Sequence, residues 1–397
     1  MSNVRPRLPS GRADVVWGRA SRNAPDLLMR VVSRQALRRW SIVAAGTALV
    51  CGLPALIAVW PVPAATISAA QLRARILSST GVPYQGYAES NADLGLPSLP
   101  DLEDVTSLLD GTTDQYAWYR SADEWRADLL TAAGETDTYQ SGAFGTYQWS
   151  YSSNLLTQIL GTEPVRLPRP ADLLPPALAQ RLLSYAGPTI RVSTLPPRRV
   201  AGVDAAGLRL APAGSTSTIS AVDVWADPHT GLAVEVEIFG RDSATPALAT
   251  RFLDVSLARP AVATVSPNLG AGVHFAGSSA PDVARILPGY GPVLPTSLGG
   301  VPEVPGVPGL PDLAAYGTGF ARFAVVPLPP GTGRSLIQAA TSAGVTVQVG
   351  NGTAVIIQTP LLTVLLSEQP GGPIYLLTGT VTASVLERAA QQLPEYP

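Results

Sequence analysis

The chain has 397 residues, 27 of them basic and 29 acidic, and its formal net charge is −2 at pH 7. A chain of this length can form two hydrophobic cores, and its single cysteine excludes a fold stabilised by internal disulfides. The residues after position 40 carry a net charge of −9, which argues against nucleic acid as a partner of that part of the chain, because phosphate backbones are bound by strongly basic surfaces.

The stretch Ser41–Trp60 is the most informative part of the sequence, because its twenty residues carry no charge. As a helix it would extend roughly 30 Å, which matches the apolar core of a bilayer. Arginines precede it at positions 30, 34, 38 and 39, and no charge follows until Arg73. This asymmetry predicts a single-pass helix at 41–61 in the cell membrane, with a cytoplasmic tail at 1–40 and an extracytoplasmic body.

The charges are divided unevenly on either side of this segment. Residues 1–40 carry nine Arg against two acids, a net charge of +7, and the rest carries eighteen Arg against 27 acids, a net charge of −9. Each Arg of a basic tail gains about 1 kcal/mol near anionic lipid. A cleaved signal peptide is an alternative, with Pro63–Ala65 or Ser68–Ala70 as the cleavage site. A lipoprotein signal at Cys51 fits less well, since Val50 stands where a small residue is expected.

From residue 67 to residue 262 the pattern predicts an antiparallel β domain. A short helix comes first, a helical insertion is predicted at Asp101–Leu109, and strand signals recur about every 8–12 residues, which is typical of hairpin-linked sheets. The predicted strands are Val82–Glu89, Gln115–Arg120, Glu124–Leu130, Glu135–Tyr139, Thr146–Tyr151, Asn154–Leu160, Arg198–Val203, Gly207–Pro212, Ser217–Trp225, Ala233–Phe239 and Leu248–Val255. An amphipathic helix is predicted at Ala171–Ala186.

Residues 263–312 are predicted to be a linker, because seven Pro and six Gly fall within 287–312, a density at which regular elements do not persist. A smaller α+β domain is predicted at 313–397. Its signals are a helix at Arg334–Ala343, a hairpin around Gly350–Gly352 and a final helix after Thr382. The predicted fold class is α+β, with a large antiparallel sheet, this smaller domain and one N-terminal transmembrane helix.

Catalytic and metal-binding signals are scarce. His229 and His274 are far apart in sequence and Cys51 lies in the predicted membrane segment, so a zinc site is not expected. There is no G-x-S-x-G motif. Gly331–Ser335 resembles a phosphate loop only weakly, because a chain without lysine cannot supply the lysine of that motif. We expect no enzymatic activity, no metal and no cofactor.

Aromatic residues are concentrated in the first part of the predicted sheet, where eleven of the 25 lie between Tyr84 and Tyr151. Aromatics at alternate positions of a strand share one face. On a concave face they would line an apolar cavity suited to acyl chains. The candidate ligand-binding residues are Tyr116, Trp118, Arg120, Trp125, Tyr147 and Trp149. The alternative is that these aromatics pack a core beneath the helix at Ala171–Ala186.

Two segments resemble the LolA-like lipoprotein-carrier fold. Gln115–Asp128 is similar to its paired strands, with an aromatic strand, an Arg, a turn and a second aromatic-Arg pair, and Thr138–Leu156 is similar to the next hairpin. Three further segments are similar to its two-domain relatives, the RseB/MucB regulators of envelope-stress sigma factors: Arg199–Leu210, Val224–Val236 and Leu377–Ala390. The resemblance covers 67–262 and, more weakly, 313–395.

The resemblance implies a half-barrel sheet that helices cover, with a hydrophobic cavity between them. In the carriers that cavity holds lipoprotein acyl chains, and an arginine at the position of Arg120 helps a lid to close. The regulators sense lipids or lipoproteins and control the proteolysis of an anti-sigma factor.

We therefore expect a membrane-anchored extracytoplasmic protein that binds a lipid or lipoprotein acyl chain and has a sensing or regulatory role in the cell envelope. An anti-sigma factor or another envelope protein is the expected protein partner. Two alternatives stay open: an interaction module without a ligand, and a lipid or lipoprotein carrier, against which the predicted tether argues.

Overall fold

The computed structural model describes much of the chain after residue 61. The described residues are 62–63, 66–95, 103–132, 134–142, 145–160, 168–267, 272–279, 293–305, 313–368 and 373–394, with the single positions 39, 41, 43 and 47. They belong to two compact units, Met1–Trp60 and Pro61–Pro397. Apart from those single positions, the predicted tail and membrane helix lie outside the described residues. Within the described part of the chain, no helix has both the length and the apolar character needed to span a bilayer.

Twelve strands of the second unit form one large open sheet. They are β1 (Tyr84–Asp93), β2 (Asp110–Ser121), β3 (Glu124–Thr131), β4 (Gly134–Ser141), β5 (Gly145–Ser150), β6 (Leu155–Leu160), β7 (Ile190–Val200), β8 (Val203–Pro212), β9 (Ile219–Ala226), β10 (Ala233–Gly240), β11 (Pro246–Ser256) and β12 (His274–Ser279). Their order across the sheet is β12-β6-β5-β4-β3-β2-β1-β11-β10-β9-β8-β7.

Four helices accompany this sheet: α1 (Ala69–Leu77), α2 (Glu103–Leu109), α3 (Pro175–Tyr185) and α4 (Val262–Val265). The predicted helix at Ala171–Ala186 is divided, because a 3-10 turn at Pro170–Leu173 precedes α3. Pro175 and Pro176 begin α3, at positions where a missing N–H costs no helical hydrogen bond. The leucines of α3 at positions 178, 182 and 183 are buried in the core that the sheet forms with α1.

The strand pairing agrees with the antiparallel prediction except at one edge. Neighbouring strands from β1 to β6 and from β7 to β11 pair antiparallel, and β1 joins the two groups through β11. Strand β12, however, pairs with β6 in parallel, where the sequence predicted a linker. The chain reaches this edge from β11 through α4, which contacts β2, β3 and β4. A crossover of this kind can deliver a parallel strand, whereas a tight hairpin cannot.

A second sheet of eight strands follows. Its strands are β13 (Ser297–Leu298), β14 (Val301–Val304), β15 (Ala314–Thr318), β16 (Ala321–Leu328), β17 (Val345–Val349), β18 (Gly352–Gln358), β19 (Thr363–Glu368) and β20 (Ile374–Gly379), with helices α5 (Pro330–Thr341) and α6 (Ala383–Ala390). Their order is β13-β14-β15-β16-β20-β19-β18-β17. The predicted hairpin is confirmed as β17–β18, where Gly350 has a φ of 58° that favours glycine.

The predicted linker at 263–312 holds more regular structure than its composition indicated. It contains β12, β13 and β14. The adjacent Gly299 and Gly300 have φ values of 60° and 79° and form the two-residue turn between β13 and β14. Because such turns require positive φ, the glycines here build a hairpin instead of preventing one. Leu298 is fully buried and ties this hairpin to the core of the second sheet.

The two sheets touch where β9 begins. Ser217 forms a β-bridge with Val381, and its hydroxyl donates to the backbone carbonyl of Phe320 at 2.7 Å. Phe320 and Leu361, which belong to the segments of the smaller sheet, are packed in the hydrophobic core of the larger one. The smaller sheet is therefore docked on the part of the large sheet that contains β9.

Gly86→Ala should destabilise the fold. A Cβ at Gly86 would lie 2.5 Å from the carbonyl oxygen of Asp254 and 3.1 Å from the ring of Phe252. Because that carbonyl belongs to a paired strand, we expect the free energy of unfolding to fall by about 1–3 kcal/mol in chemical denaturation. Gly187→Ala is the control, since nothing lies within 4 Å of its added Cβ. Equal unfolding midpoints for the two variants would contradict this prediction.

Candidate ligand-binding site

The two faces of the large sheet carry different side chains between β1 and β6. Directly opposite residues of an antiparallel pair lie on the same face. Ala117 is opposite Ala127, and Trp118 is opposite Arg126. We call the face with Ala117 and Ala127 the inner face, and the face with Trp118 and Arg126 the outer face.

A cavity of about 880 Å³ lies against the inner face. Its floor comes from β2 to β6, and further walls come from α2 and the segment 168–171. The lining residues are Ser107, Leu108, Thr112, Thr113, Asp114, Ala127, Leu129, Leu130, Thr131, Ala132, Thr136, Thr138, Gln148, Ile159, Pro168, Arg169, Pro170 and Ala171. The volume lies within the range of about 300–1,000 Å³ that is common for ligand pockets.

The lining combines apolar and polar side chains. Leu108, Leu129 and Ile159 supply apolar surface, whereas Thr113 and Thr138 supply hydroxyl groups on the floor. A wall of this composition can bury an apolar chain and also hydrogen-bond to it. The cavity therefore suits an amphiphile better than a plain hydrocarbon.

None of the six predicted ligand-binding residues is among the residues that line this cavity. Four of them, Tyr116, Trp118, Tyr147 and Trp149, lie on the outer face. The alternation predicted from the sequence is confirmed by the strand pairing. These four aromatics do not line this cavity, and their contact with a ligand stays a prediction. The enclosed face is set by the positions of α2 and 168–171, which the strand pattern does not encode.

The other two predicted residues lie near the hairpin between β2 and β3. Trp125 is on the inner face, where it packs against the apolar cluster around Ala117. Arg120 donates to Glu124 Oε2 at 3.1 Å and to the backbone carbonyl of Pro260. It therefore joins the hairpin to the segment before α4, and its predicted position at the cavity rim is not observed.

Arg126 is the centre of a charged cluster on the outer face. Its guanidinium carbon lies 5.0 Å from the ring centroid of Trp118 and 5.1 Å from that of Tyr139. Its Nε donates to Asp128 Oδ1 at 2.5 Å, and a terminal nitrogen donates to Asp137 Oδ2 at 2.8 Å. Both carboxylates are only 2% exposed, so Arg126 compensates two buried acids.

The acids of this cluster outnumber its single positive charge. A third acid, Glu135, lies 3.8 Å from the guanidinium of Arg126. Burial raises the pKa of Asp128 from 3.8 to about 7, and the hydrogen bond from Arg126 opposes this rise only in part. Burial and the neighbouring Asp137 likewise raise the pKa of Glu135. Asp128 therefore takes up a proton near neutral pH.

The same three acids have the composition of a cation site. Asp128, Glu135 and Asp137 each place one carboxylate oxygen within 4.8 Å of the others, and carboxylates are the ligands that Ca²⁺ and Mg²⁺ prefer. Arg126 already hydrogen-bonds two of the three, so its guanidinium supplies the positive charge that a cation would bring. The absence of a metal site stays a prediction.

The sequence analysis missed a group of buried polar side chains on the inner face. Ser90, Gln115 and Thr250 are at most 1% exposed. Ser90 Oγ, Thr250 Oγ1 and both polar side-chain atoms of Gln115 have no hydrogen-bond partner among the described residues. An unpaired buried polar group costs about 1–3 kcal/mol. The sequence feature that could have indicated this buried group is Gln115, a polar residue two positions before Ala117 on the same, enclosed face.

A scan against protein-family models finds no match, and a search of the curated proteins also finds none. Among solved structures, the chain is similar to the MucA/MucB complex of Pseudomonas aeruginosa at 17% identity and a TM-score of 0.47, with 83% of this chain and 99% of that chain covered. It is also similar to a LolA superfamily protein from Nitrosomonas europaea at 9% identity and a TM-score of 0.22, with 51% and 99% covered. These are the two groups that the sequence motifs resemble.

Arg126→Gln should destabilise the protein strongly. The variant leaves Asp128 and Asp137 buried without a compensating charge, and we expect the free energy of unfolding to fall by about 3–5 kcal/mol. Arg251→Gln is the control, because Arg251 is half exposed and lies 3.4 Å from Glu89, so its loss should cost less than about 1 kcal/mol. Denaturant titration measures both. Similar losses in the two variants would argue against the central role of Arg126.

Asp128 should make the folded state less stable as the pH rises. Its pKa of about 7 when folded exceeds the ordinary value of 3.8, so the folded state holds the proton more tightly. The resulting stabilisation is complete below about pH 4 and is lost as the pH rises through about 7. Asp128→Asn does not titrate. Between about pH 5 and about pH 8, the wild type should therefore lose more unfolding free energy than the variant, and an equal loss would contradict the raised pKa.

Proposed function

We propose that the protein is a membrane-anchored, extracytoplasmic binding protein whose large sheet holds an amphiphile, such as a lipid or a lipoprotein acyl chain. The observation that carries this proposal is the cavity of about 880 Å³ on the inner face. Burial of apolar ligand surface at about 25 cal/mol per Å² would supply much of the affinity. The predicted helix at 41–61 would keep the cavity close to the membrane that holds such ligands.

The described residues that line the cavity are those of a binding site and do not include a catalytic group. Among the residues that the structure describes, the cavity lining includes no His, Cys or Glu, and its charged members are Asp114 and Arg169. The two histidines are not brought together there: His229 lies in the turn after β9, and His274 begins β12. We therefore propose a binding role without an enzymatic one.

We further propose a sensing or regulatory role, with an anti-sigma factor or another envelope protein as partner. This role is supported by the fact that different strands of the large sheet form the cavity and contact the smaller sheet. Strands β2 to β6 form the floor of the cavity, whereas the start of β9 is docked on the smaller sheet through Ser217. One continuous hydrogen-bonded sheet thus connects the cavity to the smaller sheet, and the partner would bind at the smaller sheet.

Thr138→Trp should reduce ligand retention. Thr138 lies on the cavity floor, and an indole there would occupy volume that the ligand needs. Native mass spectrometry of the full chain, extracted gently in detergent, should show wild-type protein with a co-purified amphiphile. The occupied fraction should fall by about tenfold in the variant, which corresponds to a loss of about 1.4 kcal/mol in binding free energy.

Tyr116→Ala is the matched control for this experiment. Tyr116 is 43% exposed on the outer face, so its removal should leave ligand retention unchanged. Repeated recovery of wild-type protein without any bound amphiphile would overturn the proposed function. A loss of retention in Tyr116→Ala but not in Thr138→Trp would instead place the ligand on the outer face.

A further inference from the structure

The end of α3 carries a group of cationic and aromatic side chains outside the cavity. Tyr185 is the last residue of α3, and it is 42% exposed. The guanidinium carbon of Arg322, on β16, lies 4.9 Å from the centroid of the Tyr185 ring. A terminal nitrogen of Arg73, on α1, donates to the backbone carbonyl of Ala186 at 2.5 Å. We call Arg73, Tyr185 and Arg322 the cationic junction.

The two arginines of the cationic junction are not neutralised by acids. Within the described part of the chain, neither Arg73 nor Arg322 forms an ion pair, whereas Arg120, Arg126 and Arg198 each contact at least one carboxylate. The carbonyls at the end of α3 compensate in part, because a helix C-terminus is equivalent to about half a negative charge. Two full positive charges exceed this, so the cationic junction keeps a net positive charge.

Donors of both guanidinium groups stay accessible to a ligand. The Nε atom of Arg322 is buried without a hydrogen-bond partner among the described residues, whereas its two terminal nitrogens are not buried and also make no hydrogen bond there. One terminal nitrogen of Arg73 is likewise neither buried nor hydrogen-bonded to the described residues. The terminal nitrogens of an arginine form a fork that a carboxylate accepts with two parallel hydrogen bonds.

The cationic junction lies where the two sheets are docked. Arg322 belongs to the smaller sheet, whereas Tyr185 ends a helix that covers the large sheet. Phe320, two residues before Arg322, is packed in the core of the large sheet, and its carbonyl accepts the hydrogen bond from Ser217. A ligand that contacts Arg322 and Tyr185 together would therefore contact both parts of the molecule.

We propose that an acidic segment of the protein partner binds at the cationic junction, with its carboxylates on Arg73 and Arg322. This inference rests on the proposed regulatory role and names the chemistry of the partner. Because the segment would contact both sheets, its binding would depend on how they are docked. The exposed ring of Tyr185 offers apolar surface beside the two guanidinium groups.

Charge complementarity favours a protein segment over an anionic membrane. The residues after position 40 carry a net charge of −9, and this charge repels an extended anionic surface. A short acidic segment is affected mainly by charges within the Debye length, which is about 8 Å at physiological ionic strength. The charges nearest to such a segment would be those of the cationic junction.

Two matched peptides test the proposal. The probe is a fluorescently labelled peptide in which glutamate and glycine alternate, and the comparison peptide has glutamine in place of each glutamate. Fluorescence anisotropy with the full chain in a non-ionic detergent gives both dissociation constants. We expect the wild type to bind the glutamate peptide about tenfold more tightly, which corresponds to about 1.4 kcal/mol. Equal affinities for the two peptides would overturn the proposal.

Arg322→Gln and Arg73→Gln should each weaken binding of the glutamate peptide by about fivefold, because the carboxylates lose charge-assisted hydrogen bonds. Arg251→Gln is the matched control, since it removes the same charge from a pair with Glu89, and it should keep the wild-type affinity. If Arg322→Gln does not fold, Arg322→Lys replaces it: the charge stays, the fork is lost, and the affinity should still fall. Unchanged affinity in the folded variants of Arg322 and Arg73 would overturn the proposal.

A phospholipid headgroup is the competing occupant, and glycerol phosphate is its water-soluble probe. Displacement of the labelled peptide by less glycerol phosphate than unlabelled glutamate peptide would overturn the assignment to a protein segment. Native mass spectrometry tests the cavity separately. Wild-type protein that prefers the glutamate peptide but never carries an amphiphile would overturn the proposed ligand binding alone, and the reverse result would overturn this inference alone.

Discussion

The alternation of side chains along β2 is the constraint on which the rest of the site depends. Ala117 and Trp118 are adjacent in sequence, yet the first lies on the enclosed face and the second on the opposite one. Because the period of a strand is two, a shift of one residue in register would exchange these faces. The pairing of β2 with β1 and β3 therefore decides which residues meet a ligand and which support the sheet.

The aromatic residues serve that supporting role around Arg126. The rings of Trp118 and Tyr139 lie 5.0 Å and 5.1 Å from its guanidinium carbon, while Asp128 and Asp137 accept its hydrogen bonds. Removing one partner of such a buried network leaves an uncompensated charge, which is more costly than losing an exposed pair. The outer face thus holds β2, β3 and β4 in register, and the inner face is left with threonine, alanine and leucine for the cavity.

Much of the fold could be predicted because its signals are local. The hairpin at Gly350 follows from a turn that requires positive φ, and the strands from Gln115 to Leu160 follow from a period of two. The parallel edge strand beginning at His274 could not be predicted, because its pairing with Leu155 joins residues far apart in the sequence. The β13–β14 hairpin could not be predicted for another reason. Gly299 and Gly300 contribute to the glycine content that is typical of a linker, but they also form a tight turn.

The sequence by itself determined which residues alternate and where the Gly350 hairpin turns, since each of these depends on neighbours within a few positions. Only the tertiary structure decided that Thr113, and not Trp118, lines the cavity. That choice depends on where α2 and 168–171 pack against the sheet, and packing between distant segments is set by the burial of their combined apolar surface.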